Sequence, residues 1–500
     1  MTDQRQESTS PTVMVFIAAM FLLGAFYLAW PIYRATLPME IDVNEPWNAN
    51  FADAAWHKNG QPLYPKPDGL LVNNYPPLSF YLVGGIASIT GDAIAVGRWL
   101  SLFAVVALAA GAAACVRWLG SSWLAAIVAA VWLLATFARF FESYVGMNDP
   151  HLFALAIMVW ALVWFIRRHK NGRAVEPAIL LMVLAGFFKH NLFAVPIASL
   201  AWLAVSNRRQ AARAVAVGAG AAAIGLTLCG ILYGGDFFRQ LFGMPREYSI
   251  ARAVAGLGRL QWIGPALVMF LIWRWDERQD EETGRPENPA ALAAIFIAVA
   301  FILCFVQEMG AGVDDNAQFE LAVAAAVGLA LAFDRLDVIP MVRRVGLNRG
   351  RLAVLLILFI RLLISSRSEP YLLAFSSEFR ENLCRQTTVT SAETARVAAI
   401  PGPIVCFAWK PSFRDPADRT REEIFWRSLA FPDGGPAESI VVTPAMTVCR
   451  RAGKPFVFDA FAADQRVKLG KISLEELKRR LDREGIHFAP VDHRVLTGRN

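Results

Sequence analysis

The sequence predicts a polytopic α-helical membrane protein that carries a small α/β domain at its C-terminal end. Hydrophobic residues make up 56% of the 500 residues and the mean hydropathy is +0.40, well above the usual values of soluble proteins. Apolar runs near the ~20 residues that a helix needs to cross a bilayer recur from Val13 to about Ile364. From about Ser365 onwards, charged residues become frequent and short β-branched runs appear.

About eleven membrane spans are predicted. The first, residues 13–33, is too long for the core of a signal peptide and lacks a small-x-small cleavage pattern, so we expect it to be retained. Residues 177–205 are too long for one span and are interrupted by Lys189, His190 and Asn191, which indicates two spans joined by a turn. Residues 77–90 predict a short re-entrant or juxtamembrane helix. The remaining spans are 93–118, 123–137, 152–166, 214–233, 260–273, 290–306, 319–333 and 352–364.

The distribution of basic residues predicts the orientation of these spans. We expect residues 1–12 to form a disordered cytoplasmic tail, which places the N-terminus inside. The basic clusters at 167–173, 208–213 and 343–351 then all lie inside, in agreement with the positive-inside rule. Because the positive charge is concentrated in these loops, the net charge of +7 does not indicate a nucleic-acid partner.

The opposite ends of the spans carry the acidic and amide-rich loops at 38–76, 141–151 and 307–318. One segment on this outer side departs from the rule, because residues 234–259 carry Arg239, Arg246, Arg252 and Arg259. Either the number of spans is wrong at this point, or these arginines face an anionic group. The predicted organisation is a transmembrane domain at 13–365 with an extracytoplasmic loop at 34–76, followed by an extracytoplasmic domain at 366–500.

The C-terminal region predicts a small α/β domain. Ser473 and Glu476 form a capping box at the start of a helix that runs to about Arg483. Three cysteines, Cys384, Cys406 and Cys449, lie in this region, and an exported domain permits one disulfide among them. Short β-branched or aromatic runs predict strands at 403–407, 439–443, 455–458 and 487–491.

A cluster of three carboxylates follows the first span. Glu40, Asp42 and Glu45 lie within six residues, beside tryptophans and close to the membrane surface. A solvated loop is the ordinary explanation of such a cluster. The nearby outer loop with Asn148 and Asp149 favours a site instead, because partly buried carboxylates suit general-base catalysis or cation binding. Asp149 precedes Pro150 and therefore also fits the N-cap of the next helix.

Basic side chains on the same side suit the binding of a lipid-borne phosphate. Lys189 and His190 interrupt an apolar hairpin, where charged residues often mark a functional site, although snorkelling to the interface explains them equally well. The arginines of residues 234–259 have the same two explanations, a phosphate ligand or anionic headgroups. Glu320 lies one turn inside a predicted span, so we expect it to have a partner, such as one of these arginines.

The order of several short motifs resembles that of the GT-C superfamily of membrane glycosyltransferases. The similarity is greatest to the bacterial branch related to protein O-mannosyltransferases and to the lipid A aminoarabinose and galacturonic-acid transferases. The chain departs from the branch in one place, because Asn44-Glu45 stands where adjacent Asp-Glu is common. The matching pieces are Asp42-Val43-Asn44-Glu45, Gly60-Gln61-Pro62-Leu63-Tyr64, Tyr75-Pro76-Pro77-Leu78, Gly97-Arg98, Asn148-Asp149-Pro150, Lys189, the stretch from Asn316 to Glu320, and Ala452–Asp459.

This resemblance implies a bacterial cytoplasmic-membrane enzyme with its C-terminal domain in the periplasm. It would transfer a sugar from a polyprenyl-phosphate donor to a lipid, glycan or protein acceptor. An acidic residue activates the acceptor, and the base is Asp42 or Glu45, with Glu40 as a weaker third. Asp149 is a further catalytic candidate. The resemblance further implies phosphate binding by Lys189, His190, Arg246, Arg252 and Arg259, and acceptor or sugar binding by Glu40, Tyr75, Asn316 and Glu320. No cofactor is required, although the first loop has enough oxygens for a divalent cation.

Two other functions fit the same pattern. A transporter of lipid-linked sugars would place its polar residues near the bilayer midplane, whereas here they concentrate at the outer ends of the spans. A non-catalytic assembly subunit of the cell envelope would keep the fold without the chemistry. Substitution of Asp42 and Glu45 separates both from a transferase.

Overall fold

The computed structural model describes residues 10–66, 69–277, 288–364, 377–411, 421–431 and 440–495. The membrane domain contains sixteen α-helices in these ranges. They are α1 Pro11–Ala35, α2 Asn44–Ala55, α3 Leu78–Thr90, α4 Ala93–Leu119, α5 Trp123–Phe140, α6 His151–Lys170, α7 Glu176–Gly186, α8 Ala194–Ser206, α9 Arg208–Tyr233, α10 Gly235–Gly243, α11 Ile250–Gly256, α12 Gly264–Glu277, α13 Pro289–Glu308, α14 Phe319–Asp334, α15 Pro340–Val345 and α16 Leu347–Leu363.

The chain is a polytopic α-helical membrane protein, and each of the eleven predicted spans coincides with a helix. Seven helices are long and apolar enough to cross a membrane, namely α1, α4, α5, α6, α9, α13 and the helix that contains α14. Residues 250–262 and α12 add an eighth span if the pair, which is bent by 81°, is counted as one. The other three predicted spans are the shorter helices α7, α8 and α16, so the count of eleven exceeds the number of full-length spans.

Small residues allow the central helices to pack closely. The apolar core includes α4, α5, α6 and α14, and α14 is buried along almost its entire length. Alanine and glycine dominate its sequence, which lets neighbouring backbones approach each other as membrane helices generally require. α9 differs, because only Ala211, Ala214 and Cys229 are buried along its 26 residues. An apolar helix that is exposed in this way faces lipid.

The predicted break in the apolar run 177–205 is confirmed. α7 ends at Gly186, and a turn that contains Lys189 leads to α8, which begins at Ala194. The predicted short helix at 77–90 is also confirmed as α3. The predicted N-terminal tail lies largely outside the described residues, and α1 begins at Pro11, two residues before the predicted span.

The C-terminal region is a small α/β unit, as predicted. Its three strands, β1 Ile404–Pro411, β2 Ile440–Pro444 and β3 His487–Val491, form a sheet in the order β2-β1-β3. β1 is antiparallel to β2 and parallel to β3. The helices of this unit are α17 Ser377–Ala398, α18 Arg421–Ala430, α19 Met446–Arg451, α20 Ala460–Lys468 and α21 Leu474–Arg483.

Three local features were predicted for this unit, a helix cap, a disulfide and a fourth strand, and the first two are confirmed. The amide N–H of Glu476 donates to Ser473 Oγ at 3.1 Å, which caps α21 as predicted. Cys406 and Cys449 form a disulfide, whereas Cys384 is a free, exposed thiol. The fourth predicted strand, at 455–458, is wrong, because this segment lies against the membrane domain, where Gln61 Nε2 donates to the carbonyl of Phe456 at 2.7 Å. The boundary predicted at 365 falls outside the described residues.

Candidate active site

Glu45 is held in a buried ion pair. Arg98 donates from Nε to Glu45 Oε1 at 2.7 Å and from a terminal nitrogen to Oε2 at 2.6 Å. The amide N–H groups of Ile41 and Asn148 donate to the remaining lone pairs at 3.0 and 3.1 Å. Glu45 is fully buried, and both of its oxygens accept two hydrogen bonds. This arrangement argues against the predicted catalytic role of Glu45, because the carboxylate fixes the start of α2 against α4 and each of its oxygens already accepts two hydrogen bonds.

Asp42 remains open to a reactant. Its Oδ1 accepts hydrogen bonds from the backbone N–H and the side-chain Nδ2 of Asn44, at 2.9 and 2.6 Å. In the described part of the chain, no donor contacts Oδ2. The side chain is half-buried, and burial raises the pKa of Asp42 above its ordinary value. A carboxylate with one oxygen held and the other free is suited to act as a general base.

The third carboxylate of the cluster, Glu40, faces the C-terminal unit. Its Oε2 accepts a hydrogen bond from the amide N–H of Thr447 at 2.8 Å. Burial raises the pKa of Glu40 to about 8. Its position at this contact favours a role in docking the two parts of the chain, rather than the acceptor binding that the resemblance implied.

Lys189 lies between Asp149 and Tyr75. Its ammonium is 3.7 Å from Asp149 Oδ2 and 3.3 Å from the centroid of the Tyr75 ring. The Tyr75 hydroxyl donates to the same carboxylate oxygen at 3.4 Å. Lys189 is only 3% exposed, and burial lowers its pKa to about 8. The long ion pair leaves this buried cation with capacity for a further anion.

Asp149 also caps α6, as the sequence indicated. Its Oδ1 accepts the amide N–H of His151 at 2.8 Å, while Oδ2 faces Lys189 and Tyr75. The neighbouring His190 is different from Lys189, because burial and the adjacent cations lower its pKa to about 4. Burial thus disfavours the imidazolium form of His190, which makes it a weaker candidate than Lys189, and phosphate binding by His190 stays a prediction.

Of the four arginines that broke the positive-inside rule, three face the protein's own carboxylates. Arg239 pairs with Asp236 at 2.8 Å and Arg252 with Glu247 at 2.6 Å. Arg259 contacts Glu308, Asp314 and Asp315 at 2.7 to 3.3 Å. Phosphate binding by Arg252 or Arg259 is thus disfavoured, because each charge is already neutralised.

Arg246 is the exception. Among the described residues, no carboxylate lies within ion-pair distance of its guanidinium, which faces the ring of Phe461 at 5.9 Å. Its positive charge lowers the pKa of both Lys189 and His190, so it acts on the same site. The candidate phosphate ligands therefore narrow to Lys189 and Arg246.

Asn316 and Glu320, the remaining candidates for acceptor or sugar binding, contact other helices of the bundle. Asn316 Nδ2 is 3.4 Å from His151 Nδ1, and its Oδ1 accepts the amide N–H of Asp314 at 3.2 Å. Glu320 accepts the amide N–H of Val195 at 3.1 Å, at the N-terminus of α8. The predicted arginine partner of Glu320 is therefore wrong, because the unpaired N–H groups and positive dipole end of a helix stabilise the buried carboxylate. Both residues join α14 and its preceding turn to other helices.

A small, mainly apolar crevice lies beside Asp149. It is bounded by α3, α4 and α6, and Asp149 lies at one wall; its other walls include Phe80, Leu100, Phe153 and Phe188. The described residues contain no group of three or more His, Cys, Asp or Glu side chains placed to hold a metal ion.

Three side chains that organise the site were not among the site residues that the sequence predicted, although Arg98 belongs to one of the quoted motifs. Arg98 holds Glu45, and Arg34 donates to Glu142 Oε2 at 3.0 Å in a second buried pair. Both arginines occur in or directly after predicted spans, and a charged residue at that depth is a signal that could have found them. Trp47 contacts Tyr75 at a ring separation of 4.9 Å, and nothing in its sequence context indicates that partner.

Gly97 provides a sharp test of how the site is assembled. A Cβ atom at this position would lie 1.7 Å from Asn148 Oδ1, so alanine cannot be accepted without moving Asn148. Because Asn148 donates to Glu45, we expect Gly97→Ala to displace the loop and to lower stability by about 1–3 kcal/mol. The thermal unfolding midpoint of the purified protein measures this effect. Gly186→Ala serves as the control, because a Cβ atom at Gly186 would have no neighbouring atom within 4 Å. Gly91 also has open space around it, but its positive φ makes Gly91→Ser unsuitable as a control. An unchanged midpoint for Gly97→Ala would contradict the packing.

Comparison with known proteins places this geometry in a known fold. The structure is similar to that of ArnT from Cupriavidus metallidurans bound to undecaprenyl phosphate, with a TM-score of 0.52 and 14% identity over 92% of this chain and 88% of that chain. The chain has the GT-C fold. A weaker similarity, with a TM-score of 0.48 and 13% identity, relates 78% of the chain to 58% of the Archaeoglobus fulgidus oligosaccharyltransferase in its apo form.

Two further comparisons concern the sequence. Residues 72–234 match the model of a family described as a 6-pyruvoyl-tetrahydropterin synthase related domain and membrane protein. No curated protein matches the chain significantly. The GT-C fold is the one that the order of the motifs predicted. Four residues of the candidate site lie together at one end of its helix bundle, namely Lys189, Asp42, Asp149 and Arg246.

Proposed function

We propose that the protein transfers a sugar from a polyprenyl-phosphate donor to a hydroxyl group of a lipid, glycan or protein acceptor. The observation that carries this proposal is the buried ammonium of Lys189, which has one carboxylate at 3.7 Å and the uncompensated Arg246 on the same site. Burying a cation is costly unless an anion compensates it. A lipid-linked phosphate supplies that anion from the adjacent bilayer.

The surroundings of Lys189 support a lipid-linked donor in particular. A small apolar crevice beside Asp149 is lined by residues of the membrane helices α3, α4 and α6, so the surroundings of the Lys189 ammonium are apolar on this side, as the prenyl part of a donor requires. The solved relative with the same fold, ArnT, is bound to undecaprenyl phosphate. Both observations support a donor of the polyprenyl-phosphate class.

The reaction can be assigned to the side chains that face the site. Asp42 takes the proton from the acceptor hydroxyl as its oxygen forms a bond to the anomeric carbon. The bond from that carbon to the phosphate oxygen breaks, and its electron pair leaves with the polyprenyl phosphate. Lys189 and Arg246 stabilise the negative charge that develops on this phosphate. In a water-poor site, we expect this electrostatic stabilisation to contribute more to the rate than the proton transfer does.

The proposed location is the outer face of a bacterial cytoplasmic membrane, with the C-terminal unit in the periplasm. The disulfide between Cys406 and Cys449 supports this placement, because such bonds persist in oxidising compartments. The basic clusters at the opposite end of the bundle support the same orientation. Exposed apolar helices such as α9 contact the membrane lipids.

The proposal is tested with the full chain in proteoliposomes that contain synthetic undecaprenyl-phosphate sugars and membrane acceptors. We expect mass spectrometry to detect a new glycosidic product, and Lys189→Met to reduce its formation by about 10²-fold or more because a charge that stabilises the leaving group is lost. Lys189→Arg should retain part of the activity, since the positive charge remains.

The matched control for this test is Lys170→Met. Lys170 is the last residue of α6, at the end opposite to Asp149 and the candidate site, so this variant should transfer sugar at the wild-type rate. Equal activity of Lys189→Met and wild type would exclude the proposed phosphate site. Movement of the donor between leaflets without any new glycosidic bond would identify a transporter instead.

A further inference from the structure

One segment of the C-terminal unit contacts several outer loops of the membrane domain. This docking segment is Asp459 together with the following α20 residues up to Arg466. The amide N–H of Asp459 donates to the carbonyl of Leu70 at 2.8 Å, and Arg466 donates to the carbonyl of Gly69 at 2.6 Å. Gln465 Oε1 accepts the amide N–H of Glu247 at 2.9 Å. The docking segment thus contacts both the first loop and the loop that carries Arg246.

Asp459 uses its two carboxylate oxygens for different purposes. Oδ1 accepts the amide N–H of Ala462 at 2.9 Å and so caps α20. Oδ2 accepts the indole N–H of Trp47 at 3.0 Å. The side chain is 8% exposed, which makes the second bond a buried, charge-assisted contact between the C-terminal unit and α2.

Trp47 leads from this bond to the candidate phosphate site. Its ring contacts the ring of Tyr75 edge-on, with centroids 4.9 Å apart. Tyr75 in turn carries the Lys189 ammonium on its face at 3.3 Å and donates to Asp149. Asp459, Trp47, Tyr75 and Lys189 therefore form a continuous series of contacts, and a shift of the indole would move the surface on which the ammonium rests.

The docking segment reaches Arg246 by a second route. The ring of Phe461 faces the guanidinium at 5.9 Å and packs against Gly312, where a Cβ atom would lie 2.4 Å from the ring. Gly312 also has a φ of +73°, which other residues rarely adopt. A glycine at this point allows Phe461 to approach the 310–312 turn and lie beside Arg246.

We propose that Asp459 and Phe461 are positioning residues, which hold Lys189 and Arg246 in the arrangement that binds the phosphate of a lipid-linked donor. Binding of the lipid phosphate then depends on the docked C-terminal unit through these positioning contacts. This inference rests on the proposed function, because it assigns the control of the same phosphate site.

Two substitutions break the link to Trp47 without removing a charged phosphate ligand. Asp459→Asn keeps the oxygen that caps α20 but places an NH₂ group against the indole N–H, so two donors face each other. Trp47→Phe removes the indole donor and keeps an aromatic ring against Tyr75. We expect either change to weaken the binding of undecaprenyl phosphate to the purified full chain in nanodiscs by roughly five- to tenfold.

The double variant gives a sharper criterion. Because both substitutions remove the same bond, Trp47→Phe with Asp459→Asn should bind only as weakly as one single variant. Phe461→Leu tests the second route and should also weaken binding by a few-fold, since the ring that flanks Arg246 is lost. Melting temperatures measured alongside show whether each variant is folded.

Arg450→Met is the matched control. It removes an ion pair with Asp53 at 2.6 Å, which joins the same two parts of the chain but does not pass through Trp47. We expect wild-type binding for this variant. The inference is overturned if the Trp47 and Asp459 variants bind like wild type, or if Arg450→Met weakens binding equally. If the wild-type protein neither binds undecaprenyl phosphate nor transfers sugar, the proposed function fails and the inference fails with it.

Discussion

Replacing Asp42 by asparagine is expected to reduce sugar transfer by about 10²–10⁴-fold, the usual contribution of a general base. Asparagine keeps the size of the side chain and can still accept the hydrogen bonds from Asn44, so the loop should retain its shape. Its amide cannot take a proton from the acceptor hydroxyl. Binding of undecaprenyl phosphate should be unchanged, because the cations that bind it are untouched.

The pH dependence of kcat/KM gives the same prediction a second readout. Asp42 must be ionised to act as a base, and burial raises its pKa, so activity should rise with pH through an acid limb above the ordinary range of aspartate. Lys189 must be protonated to bind phosphate and has a pKa of about 8, so activity should fall as the pH rises through that value. Asp42→Asn should abolish the acid limb of the residual activity and keep the basic one.

Asp236→Asn is the control for this experiment, because Asp236 pairs with the exposed Arg239 outside the candidate site. It should retain both the rate and the bell-shaped profile. Wild-type transfer by Asp42→Asn, or an acid limb that survives the substitution, would rule out Asp42 as the base.

The largest expected loss of stability follows from replacing Arg98 by methionine. This change leaves the fully buried carboxylate of Glu45 without its counter-ion, and also leaves the carbonyls of Leu37 and Met39 without their donors. Removing one partner of a buried ion pair typically costs about 3–5 kcal/mol. The free energy of unfolding in detergent micelles, measured by denaturant titration, should fall by this amount.

A double variant separates the cost of the unpaired charge from the loss of packing. Glu45→Leu combined with Arg98→Met removes both charges and should recover much of the stability, since apolar replacements of buried pairs are often neutral. Arg274→Met breaks an ion pair with Glu277 elsewhere in the bundle. Its free energy of unfolding shows whether the loss of another buried ion pair destabilises the protein as much as Arg98→Met does. A double variant less stable than Arg98→Met alone would contradict this account of Glu45.

Local patterns in the sequence predicted much of the fold. Hydrophobic runs predicted eleven spans, and each of them coincides with one of the sixteen helices. A charged tripeptide located the turn after α7, because an apolar helix is interrupted where polar groups need a partner. The capping box at Ser473 was equally local. The prediction of a strand at 455–458 failed because its strand-like composition reflects burial of side chains such as Phe458 in the core of the C-terminal unit, which does not require pairing in the sheet.

The roles of the site residues depended on partners that are distant in the sequence. Asp42 and Glu45 are three residues apart, and only the position of Arg98 shows that Glu45 is neutralised whereas Asp42 is open. The four outer arginines were equivalent in the sequence, yet one of them lacks a carboxylate partner in the described structure. Which charges are already paired is a property of the packed chain.

The shortness of α7 has a consequence for the lipid that the protein would use. Eleven residues of helix rise about 16 Å, roughly half of the ~30 Å hydrocarbon thickness, and Lys189 follows three residues after the end of this helix. Measured from Glu176, beside the basic cluster at the opposite end of the bundle, the ammonium thus lies well below the level that a full-length span reaches. A donor phosphate that meets Lys189 has to sink out of the headgroup layer. Local thinning of the bilayer beside α7 and α8 would shorten that descent.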